Sequence, residues 1–256
     1  MAAQDSATVE VRRADERSCT GSGSLQSQHS FSFGPHYDPA NTHHGLLVAN
    51  NQHLVPGGAG FDTHSHRDME IVTWVMQGSL VHSDSTGRRG VIYPGLAQRM
   101  SAGTGIVHSE KNDPWRVDQS HDAAQEPAHF VQMWVLPDES GITPGYEQRE
   151  VDDALVGGGL VPVASGMAQH SRQAAIRLHN RQAALLVARL KAGQQVSLPE
   201  APYVHLFVGR GAVDLEDETA LTEGDAARIT AGGGNTLTAR EPAEVLVWEM
   251  HASAAG

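Results

Sequence analysis

Apolar positions in this chain come in short bursts, not in helical stripes. The run Glu70-Ile71-Val72-Thr73-Trp74-Val75-Met76 is β-branched and aromatic, and it stops at Gly78. Leu80 to Asp84 follows, then a turn at Ser85-Thr86-Gly87. Gly90 to Tyr93 runs into Pro94-Gly95, Gln98 to Ala102 into Gly103-Thr104-Gly105, and Ile106 to Glu110 comes next. Phe130 to Leu136 is a further strand. Segments about ten residues apart, each closed by a glycine turn, predict a sandwich or barrel. The second half repeats the pattern more weakly over Ala184–Leu190, Val196–Leu198, Val204–Val208, Ala226–Thr230 and Val245–Met250. Helical periodicity surfaces only over Ser171 to Ala183, and faintly. The stretch to Gln26 is polar and reads as an opening strand or arm. Asn112 to Pro127 reads as an exposed loop, and Gly141 to Gly145 as a linker. The chain is thus expected to be all-β, two tandem barrels, residues 1–141 and 142–256.

Composition narrows the function classes. Eighteen basic against 30 acidic residues give a net charge of −12. Such a surface repels a phosphate backbone, and the only basic doublets, Arg12-Arg13 and Arg88-Arg89, are isolated, so no direct nucleic-acid binding is expected. No apolar run approaches the roughly 20 residues that span a bilayer, so no membrane association is expected. The N-terminus has no basic-then-apolar leader, and the single cysteine, Cys19, allows no internal disulfide; both point to the cytoplasm.

Histidine changes the picture most. Of 15, 11 fall between His29 and His129. His64-Ser65-His66 and His108-Ser109-Glu110 each place alternate residues on one face of a strand. Together they offer three nitrogens and one carboxylate oxygen, a set suited to a divalent first-row metal with open positions. Spacing alone leaves iron, manganese, nickel, cobalt and copper open.

The surrounding motifs resemble a known family. Gly58 stands six residues before His64, and Gly103-Thr104-Gly105 leads into His108, as in the two motifs of the cupin superfamily. Phe61-Asp62-Thr63-His64-Ser65-His66-Arg67-Asp68-Met69-Glu70, Asp84-Ser85-Thr86-Gly87-Arg88-Arg89-Gly90-Val91-Ile92-Tyr93-Pro94-Gly95 and Met100-Ser101-Ala102-Gly103-Thr104-Gly105-Ile106-Val107-His108-Ser109-Glu110 resemble the pirin family. Phe31-Ser32-Phe33-Gly34 and His43-His44-Gly45-Leu46 are similar to its bacterial branch. The second half resembles the family only in its barrel pattern. Two positions depart: Ser65 stands where the family often has proline, and Asp68-Met69 where it often has Gly-Phe.

The resemblance implies a bicupin of two jelly-roll barrels. It implies one iron(II) per chain in the first barrel, with His64, His66, His108 and Glu110 as ligands. It implies a quercetin 2,3-dioxygenase-like activity: oxidative ring cleavage of a flavonol-like substrate by dioxygen, with release of carbon monoxide. Glu110 is then also the candidate catalytic base. The same ligands fit a second class, a non-catalytic iron or redox sensor that binds a protein partner. Many cupins take their carboxylate from the position of Glu70, which is expected here to be a supporting residue, and Asn112 is expected to be structural. His82 is expected to face solvent, and His43, His44 and His53 to lie in surface loops, with the edge of a substrate pocket as the alternative. Phe33 and Trp74 are core aromatics by pattern, with the wall of a planar-ligand cavity as the alternative.

The second barrel can be compared with the first. Turns at Gly78 and Gly95 recur at Gly211 and Gly224, and the same offsets carry the ligand positions to Ser197, Pro199, Leu237 and Ala239. No ligand-competent set remains, so the second barrel is expected to be metal-free.

Overall fold

The structure, a computed structural model, describes residues 7–22, 25–113, 126–216 and 219–254. Most of the expected Asn112–Pro127 loop, residues 114–125, lies outside them. In chain order the strands of the first half are β1 (Thr8–Arg12), β2 (Ser18–Ser22), β3 (Leu25–His29), β4 (Leu47–Val55), β5 (Gly60–His66), β6 (Glu70–Gln77), β7 (Leu80–Asp84), β8 (Arg89–Ile92), β9 (Leu96–Ser101), β10 (Ile106–Lys111) and β11 (Ala128–Val135). The second half supplies β12 (Gly145–Glu150), β13 (Val161–Ser165), β14 (Ile176–Arg177), β15 (Ala183–Leu190), β16 (Gln195–Ser197), β17 (Ala201–Arg210), β18 (Ala212–Leu215), β19 (Thr219–Thr222), β20 (Ala226–Gly232), β21 (Thr236–Ala239) and β22 (Ala243–Met250). The chain is nearly all β, as its pattern predicted.

Each half pairs a broad sheet with a narrow one. The first has a seven-stranded sheet, β12-β9-β6-β11-β4-β3-β2, over a four-stranded one, β5-β10-β7-β8. The second repeats this with β1-β20-β17-β22-β15-β13-β14 over β16-β21-β18-β19. Two edge strands lie across the division expected at residue 141. β1 pairs with β20, Val9 opposite Ile229, and β12 pairs with β9, Tyr146 opposite Met100.

The two broad sheets pack face to face, which explains why their central strands, β6, β11, β15, β17 and β22, are apolar on both sides. Along β6, Val72, Trp74 and Met76 turn away from the first barrel. They join Val131, Met133 and Val135 of β11 against Leu185, Val187, Phe207, Leu246, Trp248 and Met250 of the second half. The alternate residues fill the barrel interiors: Val75, Phe130, Leu80 and Ile92 at one end of the first, Ile71, Met100 and Ile106 at the other. The second interior is apolar throughout, and Leu237 and Ala239, at the ligand-equivalent positions, are part of it.

One expected element is corrected. Ser171–Ala183 is not helical. It holds a short parallel strand, β14, and Ile176, Leu178 and Asn180 are buried while Arg177, His179 and Arg181 are exposed. That is period two, set by pairing with β13, and it outweighs a weak helical moment. The α-helix found among the described residues is one turn, Asp152–Leu155. No helix there is long and apolar enough to cross a membrane.

Candidate metal centre

The narrow sheet of the first barrel carries the chemistry on its inner face. β10 lies between β5 and β7, and register decides the neighbours. His108 sits opposite His64 on one side and Asp84 on the other; Glu110 sits opposite Phe61 and His82. Cross-strand partners share a face, so two sequence-distant His-x-His-type pairs converge.

One ring nitrogen from each of His64, His66 and His108 lies within 4.8 Å of the other two. His64 Nε2 and His108 Nε2 are 3.1 Å apart. His64 Nδ1 donates to the Asp62 carbonyl at 2.7 Å, which leaves its Nε2 as a lone pair aimed at the group. His66 Nε2 and His108 Nδ1 are buried and have no partner. Burial lowers the His66 imidazole to about 4 and, reinforced by the neighbouring histidines, His108 to about 3, so both are neutral near pH 7. Neutral imidazoles with converging lone pairs and orphaned buried nitrogens are the donor set a divalent transition metal takes, so the residues fit such an ion.

Glu110 is fully enclosed beneath this group. Gln132 Nε2 donates to its Oε2 at 2.7 Å, and Trp134 Nε1 donates to Gln132 Oε1 at 3.0 Å. Burial raises the Glu110 carboxyl to about 7. Its carboxylate lies within 4.8 Å of nitrogens of His108 and His82, and beyond that mutual distance from the full three-histidine group. Glu70 faces the other way. It has the parity of Val72 and Trp74, and its carboxylate accepts from Ser101 Oγ at 2.8 Å, His179 Nδ1 at 2.9 Å and the His179 amide at 2.7 Å. The position that many cupins use for a ligand is here turned toward the second barrel.

Several expectations are corrected at this site. His82 does not face solvent. Its side chain is completely buried, stacked on Tyr146 at 4.7 Å, with Nε2 3.2 Å from Asp84 Oδ2. Gly90 makes the stack feasible: a Cβ there would come within 2.5 Å of the Tyr146 hydroxyl. His53 lies inside the barrel between Phe61 and Phe130, and His44 is buried where the two halves meet, within reach of the Val204 and Ile229 carbonyls. Trp74 belongs to the inter-barrel core. The aromatic wall is Trp134, edge-on to His66 at 4.9 Å, and Phe33, edge-on to Trp134 at 5.3 Å. Sequence reading passed over Trp134 and Gln132. Both alternate with Phe130 on β11, but the run is apolar on its other face too, so parity alone does not say which face is the inner one.

Asn112 is buried and bonds the Val55 and Glu126 carbonyls, a structural role as expected. Asp68 adopts φ +48°. Aspartate tolerates that left-handed backbone better than most residues. Its Oδ1 accepts from the Gly141 amide at 2.5 Å, tying the loop after His66 to the inter-barrel segment.

Comparison with known proteins places this arrangement. The pirin family profile matches residues 11–135. A Mycobacterium tuberculosis (strain H37Rv) protein provisionally named quercetin 2,3-dioxygenase is 58% identical over 96% of each chain. The chain is a member of the pirin family. A profile described as the quercetinase C-terminal cupin domain matches residues 164–250, so the second half carries a family signal of its own beyond its barrel pattern. The Escherichia coli K12 quercetin 2,3-dioxygenase is 35% identical over 94% of this chain and 98% of its own length. Among solved structures, the E. coli bacterial pirin YhhW in complex with nickel(II) superposes with a TM-score of 0.82 at 31% identity, covering 96% of this chain and all of that one. The pirin fold therefore accounts for both barrels.

Proposed function

We propose that this pirin-family protein is a metal-dependent dioxygenase that cleaves the ring of a flavonol-like substrate, with one iron(II) per chain held by His64, His66, His108 and Glu110. The carrying observation is the three-histidine group set above a buried carboxyl and beside an aromatic wall. The nickel(II) complex of the E. coli pirin and the dioxygenase names of the relatives support it. A bound divalent metal supplies Lewis-acid polarisation, which lowers the pKa of a hydroxyl on it.

The chain's own residues do the rest. Glu110, a buried carboxylate beside the histidines, accepts the proton of the substrate enol. Gln132 donates to Glu110 Oε2 and so orients the carboxylate. Trp134 and Phe33 offer flat apolar surface to a planar substrate and limit water beside His66. The second barrel backs the broad sheet that carries Gln132 and Trp134. The setting is cytoplasmic, with the small aromatic substrate and dioxygen as the partners.

The decisive experiment is anaerobic iron(II) reconstitution followed by oxygen uptake with quercetin. The expected result is oxygen consumed in step with flavonol loss and carbon monoxide release. Metal binding with no oxygen consumption across a flavonol panel would instead favour the sensor class. A second check uses pH. Protons compete with the metal for Glu110 below about pH 7, so affinity should fall about tenfold per pH unit from 7 towards 5 and level off above 8. Calorimetric titration reads this; in Glu110→Gln the dependence between pH 6 and 7 should largely vanish.

A further inference from the structure

We infer that His82 is a positioning residue of the metal centre, anchored by Asp84, an inference that rests on reading His64, His66, His108 and Glu110 as the metal-binding set. Register places His82 opposite Glu110, and Asp84 opposite His108, on the strand beside the ligands. Nothing about His82 is left to solvent: both it and Asp84 have completely buried side chains. A neighbouring strand could place an inert apolar residue here, yet it places an imidazole held from two sides. Tyr146 stacks on the ring at 4.7 Å, and Asp84 Oδ2 lies 3.2 Å from Nε2. Asp84 is itself fixed, because its Oδ1 accepts from the Thr86 amide at 2.9 Å, the Thr86 hydroxyl at 2.6 Å and the Arg88 amide at 3.2 Å.

The tautomer follows from those bonds. A carboxylate only accepts, so His82 Nε2 carries the hydrogen and Nδ1 keeps a lone pair. That Nδ1 is buried without a partner, and so is His108 Nδ1. The two rings are 5.3 Å apart between centroids, and ligand atoms of His82, His108 and Glu110 lie within 4.8 Å of one another. His108 faces His64 through Nε2. An imidazole that coordinates through Nε2 carries its hydrogen on Nδ1, and in a buried site that hydrogen needs an acceptor. His82 Nδ1 is the complementary group. The two Nδ1 atoms are not hydrogen-bonded to each other in the metal-free protein; a metal held through His108 Nε2 would pair them, and Asp84, His82 and His108 would then form a chain that fixes the tautomer and tilt of His108, with His82 beside the Glu110 carboxylate. That chain would give both orphaned nitrogens a partner.

The test uses cobalt(II) alone on the metal-depleted full chain, comparing wild type, His82→Phe, His82→Asn and Asp84→Asn. Affinity comes from competition titration, the ligand field from the visible cobalt spectrum, and folding from the thermal midpoint of the metal-free protein. Residues that support a metal ligand are typically worth about 10- to 100-fold in affinity. His82→Phe should lose that much and shift the spectrum. His82→Asn, whose amide oxygen comes near the place of Nδ1, should bind better than His82→Phe although it packs worse against Tyr146. Asp84→Asn should give a smaller loss. A mere space-filling role predicts the reverse order, phenylalanine above asparagine, with an unshifted spectrum, and that result overturns the inference. If His82→Phe does not fold, wild-type affinity and spectrum in Asp84→Asn overturn it. Wild type that binds no cobalt removes the metal reading and this inference together, whereas wild type that binds beside an indifferent His82→Phe removes this inference alone.

Discussion

Flavonol turnover by Glu110→Gln should fall about a hundredfold or more at saturating metal. Glutamine keeps the shape and one oxygen donor but gives up the charge and nearly all proton affinity, and general-base contributions typically reach about that size. Metal affinity should fall too, because a neutral amide replaces a carboxylate. The control is Glu70→Gln. Its carboxylate faces His179 and Ser101 on the opposite side of β6, so most bound metal should remain. His108→Ala should lose metal and turnover together. Were Glu70→Gln to strip the metal while Glu110→Gln left occupancy and rate intact, the ligand assignment would be wrong.

The same substitution should strengthen the metal-free fold. Burial lifts the Glu110 carboxyl from 4.5 to about 7, so the native state holds that proton more tightly than the unfolded chain. Between those two values native stability falls as pH rises, and above about 7 the full cost of the buried charge is present, at most about 3 kcal/mol. Glu110→Gln removes it. Metal-free Glu110→Gln should therefore be more stable than wild type by about 1–3 kcal/mol at pH 8, with the difference fading towards pH 4. Denaturant titrations at the two pH values separate a functional carboxyl from a structural one.

The largest loss of stability is expected far from the histidines. Trp74 is fully buried between the two broad sheets, and its Nε1 donates to Glu244 Oε1 at 2.5 Å; Glu244 in turn accepts from Arg189 at 2.8 Å. Trp74→Ala should cost about 3–5 kcal/mol from the cavity alone. Glu244 would also lose a buried donor, so the total belongs at the upper end. Trp74→Phe should recover most of the packing but not the hydrogen bond. Because Trp74 points away from the first barrel's interior, whichever variant folds should bind metal as wild type does. A weakened metal site at unchanged stability would show that the broad sheet transmits more than support.

The strands and the histidine pairs were legible because their signals are local. Short apolar runs closed by glycine turns mark many of the strands within about ten residues, and His64, His66, His108 and Glu110 stand out by their alternate spacing. What stayed hidden depends on register between distant segments. His82 looks like a polar residue on an exposed strand until β7 is paired with β10. Glu70 and Glu110 are told apart only by the family resemblance until parity on β6 sends one towards His179 and register on β10 leaves the other beside His82 and His108. Trp134 and Gln132 sit in an apolar run whose two faces cannot be told apart in sequence, because one meets the barrel interior and the other the second barrel. Ser171–Ala183 lacked its partner, β13, and without it Ile176, Leu178 and Asn180 could not declare their alternation.

The pairing of β1 with β20 bears on how the protein is made. Val9 finds Ile229 across nearly the whole chain. At a synthesis rate of about 5–20 residues per second, Thr8–Arg12 leaves the ribosome roughly ten to forty seconds ahead of its partner. During that interval the remaining strands of the first barrel can already close, while this arm stays loose. The second barrel then receives an edge strand that was waiting for it, so a sheet of the later-made half is completed by a strand made before the rest of it.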